Sequence, residues 1–221
     1  QLSGKIPVLI TSIIAANTTE ALKALATILA TVILFLIVVW AQSLKVEVPL
    51  SFDRLRGYGI KWPLSFFYAS VIPVILTAAL VANLQLFGGL FQGWLGHATF
   101  LGNYVQGQAV SGLGFWLGST NLVEGAITGS LRSIFLLQGL THIIFFMIFA
   151  TIFSIFWVKT SGMDAQAQAH NILSSGLQIP GFRKDERVLE SVLSRYVMPL
   201  TVMGGAAIGL LAATADLLGT I

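Results

Sequence analysis

Residues 133–158 read SIFLLQGLTHIIFFMIFATIFSIFWV and contain no Lys, Arg, Asp or Glu. As an α-helix rising about 1.5 Å per residue, this stretch is long enough to cross the roughly 30 Å hydrocarbon core of a bilayer. Its apolar residues are continuous rather than alternating, which argues against a membrane-spanning strand. Because a helix satisfies its own backbone hydrogen bonds in lipid, the stretch predicts a transmembrane helix.

Apolar stretches of similar length occur three more times along the chain. The chain is 56% hydrophobic and only 10% charged, whereas soluble domains average about a quarter charged residues. The fold class that we predict is therefore an all-α integral membrane protein, a polytopic bundle of about four transmembrane helices. The predicted spans are 24–41, 64–87, 133–158 and 197–218.

The charges between the spans predict the orientation in the membrane. The loops 42–63 and 159–196 together hold nine of the twelve Lys and Arg residues, whereas 88–132 holds only Arg132. Because basic loops stay in the cytoplasm, we expect these two loops to be cytoplasmic. The segments 1–23 and 88–132 and the C-terminal end are then external. Asn17-Thr18-Thr19 matches a glycosylation acceptor on the external side, a triplet that is common and therefore weak evidence.

Composition also limits the possible chemistry. The net charge of +3 is too small and dispersed to indicate a nucleic-acid groove, and the absence of cysteine excludes disulfides and thiolate sites. His97, His142 and His170 are too far apart in sequence to form a cluster of metal ligands. No phosphate-binding loop, HExxH or G-x-S-x-G motif occurs. We therefore predict no enzyme activity, no catalytic or metal site and no cofactor.

The first cytoplasmic loop repeats a short pattern: Val48-Pro-Leu-Ser-Phe52 is echoed by Trp-Pro-Leu-Ser-Phe at 62–66. Extended arms around the Gly-containing tip Asp53-Arg-Leu-Arg-Gly-Tyr-Gly59 predict a projecting hairpin-like loop. Its basic tip is either a turn that obeys the positive-inside rule or a finger that docks on an anionic partner. The sequence pattern alone favours the simple turn.

The second cytoplasmic loop contains a turn, Pro180-Gly-Phe-Arg183, followed by a helical pattern that starts at Asp185. Asp185 has the side chain expected of an N-cap. The apolar residues that follow recur with the helical period, which predicts a short amphipathic helix before the last span. The residues on this face are Val188, Leu189, Val192, Leu193 and Tyr196.

Inside the spans, three features are informative. Pro73 predicts a kink in the second span. Gln138, Thr141 and His142, the polar stripe, share one face of the third span, for which we prefer hydrogen bonds between helices to a proton relay. A relay needs acidic partners, which the first three spans lack, and we expect no His-Asp pair. Gly205, Gly209 and Ala213 recur every four residues and predict close helix contact.

The chain starts at Gln1, and the apolar run Pro7–Ala16 is too short to span a bilayer. It also lacks the basic region that precedes the apolar core of a signal peptide. We therefore expect the sequence to begin within a longer protein.

Taken together, the loops resemble a known family. LKVEVPLSFDRLRG and KWPLSFFYASVIPVILTAALVANLQL resemble the sixth and seventh helix region of archaeal SecY, the pore subunit family of the preprotein translocase. FWVKTSGMDAQAQA, GLQIPGFRKDERVLESVLSRYVMPLTVMGG and ADLLGTI resemble its eighth and ninth helices. The resemblance covers nearly the whole chain in order. It implies that the four spans are helices six to nine of a ten-helix channel.

The resemblance implies a function that composition does not. Members of the family form an hourglass pore for secreted chains, with a lateral gate that admits signal sequences and nascent transmembrane helices to lipid. By this resemblance Ile72, Pro73 and Ile75 line the pore and gate, and the side chains of Ile72 and Ile75 face the pore. From helix geometry we expect Leu76 and Ala69 on the opposite face. Arg54 and Arg56 of the first loop, and Arg183 of the second, are expected to dock the ribosome.

The resemblance also implies partners and a location. The partners expected are SecE-type and Secβ-type small subunits, the ribosome, signal sequences, nascent chains and membrane lipids, together with the SecY segments that this chain lacks. The location expected is the plasma membrane. One departure concerns the gate, because Val71 stands where the archaeal pattern has an asparagine before the Ile-Pro pair.

Two functions other than a translocation channel are compatible with a chain of this composition. A small-solute secondary transporter is the alternative, since such proteins often bind substrate at broken helices near the midplane. Its support is Pro73 and the polar stripe. An intramembrane enzyme would need a catalytic constellation, and the spans show neither a Ser-Lys pair nor a metal cluster.

Overall fold

The computed structural model describes residues 4–52, 59–69, 71–178 and 185–220. Four of its helices are long and apolar enough to cross a membrane, namely α2, α3, α6 and α8 as numbered below. The predicted bundle of about four apolar helices is thereby confirmed. The described elements, in chain order, are α1 (Lys5–Ile14), α2 (Thr18–Ser43), β1 (Lys45–Phe52), β2 (Gly59–Ser65), α3 (Ile72–Leu95), β3 (Asn103–Val105), β4 (Gln108–Ser111), α4 (Leu113–Leu117), α5 (Leu122–Thr128), α6 (Ser133–Thr160), α7 (Ala165–Ser174), β5 (Leu177–Gln178) and α8 (Glu186–Leu217).

The start of the second spanning helix differs from the prediction. The apolar run from Leu64 is shared between two elements, because Leu64 and Ser65 end β2 and the helix begins only at Ile72. The helix then continues to Leu95 instead of ending at 87. Hydropathy alone does not separate an apolar strand from the helix that follows it.

The predicted kink at Pro73 is wrong. Pro73 is the second residue of α3, in its first turn. The backbone N–H groups of the first turn have no partner within the helix, so a proline there removes no helical hydrogen bond. Pro73 therefore helps to start α3 and does not bend it.

The last helix is longer than the predicted span. The expected short helix after Asp185 and the span 197–218 form one helix, α8, of 32 residues, with Pro199 inside it. The Asp185 side chain accepts a hydrogen bond from the backbone N–H of Arg187, which confirms the predicted cap. At about 1.5 Å per residue, α8 is about 48 Å long, more than a bilayer core requires.

The helices α6 and α8 pack against each other through small residues. A Cβ built on Gly209 would lie 2.7 Å from the carbonyl oxygen of Phe146, and one on Gly205 would lie 2.6 Å from Ser154 Oγ. Ala213 is fully buried on the same face of α8. The predicted close contact is confirmed, since only residues without large side chains fit here.

Both loops predicted to be cytoplasmic lie at one end of the bundle, which we call the sheet end. There β1 pairs antiparallel with β2, which confirms the predicted hairpin, and also with β5 of the second loop. Val48, Leu64, Ile172 and Leu193 belong to one buried apolar cluster beneath the sheet. The two loops therefore form a single packed unit.

The opposite end, which we call the α4 end, is also folded. The antiparallel pair β3–β4 packs beside the last turns of α3, and α4 and α5 follow it. Gln92 fixes β3, because its amide nitrogen donates to the carbonyl of Tyr104 at 3.1 Å and its amide oxygen accepts from the N–H of Tyr104. The predicted external loop thus consists largely of ordered elements.

Candidate functional site

The first turns of α3 carry the residues expected to line a pore. Pro73 is fully buried, Ile72 is half-buried and Ile75 is 60% exposed. The Thr77 hydroxyl donates to the carbonyl of Pro73 at 2.9 Å and is buried with it. Helical geometry then places Ile72 and Ile75 on the face turned away from this contact.

The two faces of α3 differ from the prediction in one respect. Leu76, expected opposite Ile75, is itself exposed, since it lies only about 100° around the helix from Ile75. Ala69 is buried and precedes the helix. The packed face of α3 instead carries Val81, which contacts the cluster that contains Phe146 and Ala213.

An apolar cleft of about 520 Å³ runs beside the start of α3. Three helices contribute to its walls: α2, α3 and α8. Its mainly apolar lining includes Leu34, Val38, Val71, Val74, Ile208 and Leu211, and the polar Gln42 and Ser65 also contribute. Val71, which replaces the asparagine of the archaeal pattern, thus adds apolar surface at the point where α3 begins.

The pairing of β1 with β5 joins the two loops expected to dock a partner. Ser51 pairs with Gln178 and Phe52 with Leu177. Arg54 and Arg56 follow Phe52 in the chain, and Arg183 follows Gln178, but all three lie outside the described residues. The structure therefore places the strands that lead to the three arginines next to each other.

Polar contacts strengthen the sheet end. Lys61 Nζ lies 2.6 Å from Glu47 Oε2 across the hairpin, and this hydrogen bond raises the pKa of Lys61. The Tyr68 hydroxyl donates to the carbonyl of Met163 at 2.5 Å. Burial, and secondarily the nearby Asp164, raises the pKa of Tyr68 to about 12, so the phenol remains a donor at neutral pH.

The polar stripe on α6 contacts the last turn of α4. Gln138 Nε2 donates to the carbonyl of Phe115 at 2.8 Å, and Thr141 Oγ1 to that of Trp116 at 3.0 Å. His142 Nδ1 lies 2.7 Å from the carbonyl of Leu117. The predicted structural role for the stripe fits these bonds, although the partner is a short helix and not another span.

One pair was missed by the sequence prediction. His142 Nε2 lies 3.4 Å from Asp216 Oδ2 on α8, so the expectation of no His-Asp pair is wrong. The spacing of small residues contained a usable signal. The contacts of Gly205 with Ser154 and of Gly209 with Phe146 define the antiparallel register of α6 and α8. Continuing that register brings the end of α8 to the level of His142.

No group of three or more His, Asp and Glu residues within the described ranges is arranged to hold a metal ion. The two features that supported a transporter have structural roles in this fold. Pro73 lies at the start of α3 and not in a broken segment. The polar groups of the stripe are hydrogen-bonded to backbone carbonyls of α4.

Comparison with known sequences gives a consistent result. The sequence model of the SecY family matches residues 1–221. The protein translocase subunit SecY of Methanococcus vannielii is 41% identical over 194 residues, covering 88% of this chain and 42% of its own length. That of Methanocaldococcus jannaschii is 40% identical over 198 residues, covering 89% of this chain and 43% of its own length. The chain thus spans less than half the length of these relatives.

The solved structures that resemble this chain indicate the same kind of protein as the similar sequences do. One, described as the structure of a protein conducting channel, superposes with a TM-score of 0.77 at 36% identity, covering 97% of this chain and 48% of the other. Another shows how the plug domain of the SecY protein stabilises the closed translocation channel. It has the same TM-score and identity and covers 98% of this chain and 48% of the other.

Proposed function

The chain belongs to the SecY family, and from this premise we propose that it is part of the pore-forming subunit of a protein translocation channel. This channel passes secreted chains across the membrane and releases transmembrane segments into lipid. The proposed subunit is not an enzyme, because conduction needs a passage and a gate rather than bond-making chemistry. Its location is the plasma membrane, which it crosses several times.

The observation that carries this proposal is the two-faced start of α3. One face, with Pro73 and Thr77, is buried against the bundle, whereas Ile75 on the other face is 60% exposed. Apolar branched side chains such as Ile72 and Ile75 dewet an empty passage and offer no specific hydrogen bond to a passing chain. Such a lining suits a pore that accepts many sequences.

The proposed partners follow from the same premise. SecE-type and Secβ-type small subunits, together with the remaining SecY segments, complete the channel. Signal sequences and nascent chains enter beside α3, where the apolar cleft of about 520 Å³ offers surface of the same character as their own side chains. The ribosome docks on the tips that carry Arg54, Arg56 and Arg183. Membrane lipids surround the exposed apolar faces of α2 and α6.

Photocrosslinking in the intact translocation complex tests the pore lining. A photoreactive residue at Ile75 is expected to capture a stalled translocating chain. The same residue at Val81, on the packed face of α3, is expected to capture α6 instead. Equal capture of the stalled chain from both positions, or none from Ile75, would refute an oriented pore lining.

A further inference from the structure

Helix α4 has only five residues and is held by side chains from another helix. Isolated helices of this length are unstable, and their last carbonyl groups lack partners within the helix. Gln138, Thr141 and His142 supply donors to successive carbonyls from Phe115 to Leu117. The polar stripe therefore acts as a cap provided by α6 for the end of α4.

The depth of this contact makes the cap important. His142 is nine residues into α6, about 13 Å along its axis. Because α6 is about 42 Å long and the hydrocarbon core about 30 Å thick, a centred α6 places His142 roughly 7 Å inside the hydrocarbon boundary. At that depth, backbone that is not helical is tolerated only where protein groups satisfy it.

The bond to Leu117 determines the state of the His142 ring. A carbonyl can only accept, so Nδ1 carries a proton and Nε2 faces Asp216 Oδ2 at 3.4 Å. Nε2 is buried and has no hydrogen-bond partner within the described residues. The imidazole is 2% exposed at this site, and the Asp216 side chain is 25% exposed. The imidazole is therefore held between the Leu117 carbonyl on one side and the Asp216 carboxylate on the other.

Other charged groups of the described residues are not placed to interact with Nε2 of His142. Within the described ranges, the elements α3, β3, β4 and α4 contain no charged side chain. On α5, Glu124 is bound to Lys23 of α2 at 2.9 Å. Arg132, the N-cap residue of α6, lies ten residues before His142, about 15 Å along the axis. Asp216 of α8 is thus the carboxylate that faces the imidazole.

The position of α4 also affects α3. The Tyr104 ring lies between Gly88 of α3 and Gly114 of α4, and a Cβ on either glycine would overlap it. A Cβ on Gly118 would come within 3.3 Å of Gln85 Nε2, so α4 also approaches α3 there. If α4 moved, the half of α3 that lies at the α4 end of the bundle would therefore lose packing contacts.

We propose that His142 and Asp216 are positioning residues that act together to hold the last turn of α4 between α6 and α3. The link from this pair to pore geometry rests on the proposed function, in which α3 lines the pore. The docking of α4 itself does not, and it is measured without any translocating substrate.

Amide hydrogen exchange in the intact membrane complex tests the proposal on the segment 112–121. We expect Asp216→Leu to accelerate exchange there roughly tenfold or more, since it removes the carboxylate that lies 3.4 Å from the buried Nε2 and leaves an apolar group in its place. Asp216→Asn, whose amide can donate to Nε2, should stay within about threefold of wild type. Glu124→Gln, a carboxylate change at the same end, serves as the matched control and should leave the rate unchanged.

Two further measurements separate positioning from general stability. Nitrogen NMR of the His142 ring should show a proton on Nδ1, as the bond to the Leu117 carbonyl requires, and the signal of Nε2 should shift in Asp216→Leu. The variant His142→Phe should accelerate exchange, and adding Asp216→Leu to it should have little further effect. Unchanged exchange in Asp216→Leu, additive effects of the two changes, or equal acceleration in α2 and α7 would overturn the proposal.

Discussion

Single residues on α8 determine how closely it approaches α6. The close contact at Gly205, Gly209 and Ala213 was predicted from the sequence, because helices that pack closely need small residues at a regular four-residue spacing. The pair of His142 and Asp216 leaves no such mark, since its two members are distant in sequence and meet only through the register of the helices. A pattern within one helix can therefore be recognised in the sequence. A pair of residues on two helices can be predicted only when the register between those helices is known.

Substitution of Gly209 tests the contact between α6 and α8. A Cβ there would lie 2.7 Å from the Phe146 carbonyl oxygen and 3.0 Å from Ala150 Cβ, so Gly209→Val should force the helices apart. We expect a loss of roughly 1–3 kcal/mol in the free energy of unfolding, measured by denaturant titration in detergent. Gly93→Val on α3 is the control, because nothing lies within 4 Å of a Cβ at Gly93. A similar loss in both variants would contradict the packing argument.

Tyr68 gives a prediction about pH. Because burial raises the pKa of its phenol to about 12 from 10.0, the folded state holds this proton more tightly than the unfolded state does. Its contribution is complete below about pH 10 and is lost as the pH rises through about 12. The free energy of unfolding should fall less steeply over this range in Tyr68→Phe than in wild type. At neutral pH, Tyr68→Phe should cost about 1 kcal/mol through the lost bond to Met163. Identical alkaline profiles would refute the assignment.

At the scale of elements, the sequence predicted which segments are helical better than it predicted where they begin. Long neutral runs identify spans because few other structures bury so many apolar residues. The start of α3 was misplaced because an apolar strand, Gly59–Ser65, runs almost directly into it. The pairing of β1 with β5 was not predictable, since β5 has only two residues and too little pattern of its own.

The orientation of these elements in the membrane remains a prediction that cysteine labelling can test. Single cysteines at Gly57 and Gly181 should react with an impermeant reagent from the cytoplasmic side, and one at Gly107 from outside. The reason is the asymmetry of Lys and Arg between the loops. Gly107 lies in the turn between β3 and β4, where a Cβ meets nothing within 4 Å, although its φ of +80° favours glycine. Labelling of Gly57 and Gly107 from the same side would overturn the proposed topology.

At the scale of the whole molecule, each end of the bundle is a folded unit built from loops that are distant in sequence. The sheet end combines both predicted cytoplasmic loops over one apolar cluster, and the α4 end combines β3, β4, α4 and α5 around the ends of the long helices. In the sequence, these loops are separate segments with no pattern that links them. Their association depends on long-range contacts that no local pattern encodes.

Charge reversal tests whether the sheet end docks a ribosome. Arg54→Glu with Arg56→Glu should weaken ribosome binding by the intact complex, and binding by wild type should decrease as salt increases, because contacts with RNA phosphates release counterions. Lys45→Glu is the matched control, since Lys45 is exposed at the end of β1 that is far from the tip. Unchanged binding of the doubly reversed protein at low salt would exclude the docking role. So would an equal loss in the control.

Helix α8 begins among the buried residues of the sheet end, at Leu189 and Leu193, and ends beside His142 with Asp216. It is therefore a single helix about 48 Å long that contacts both ends of the bundle, and it can act as a lever between them. A tilt of about 5° about Pro199 would displace Asp216, about 26 Å further along the helix, by roughly 2 Å. Pro199, which removes one backbone hydrogen bond, lies where such a lever would have its pivot. If the loops of the sheet end dock a partner as proposed, a force applied there would then move Asp216 at the opposite end of the bundle.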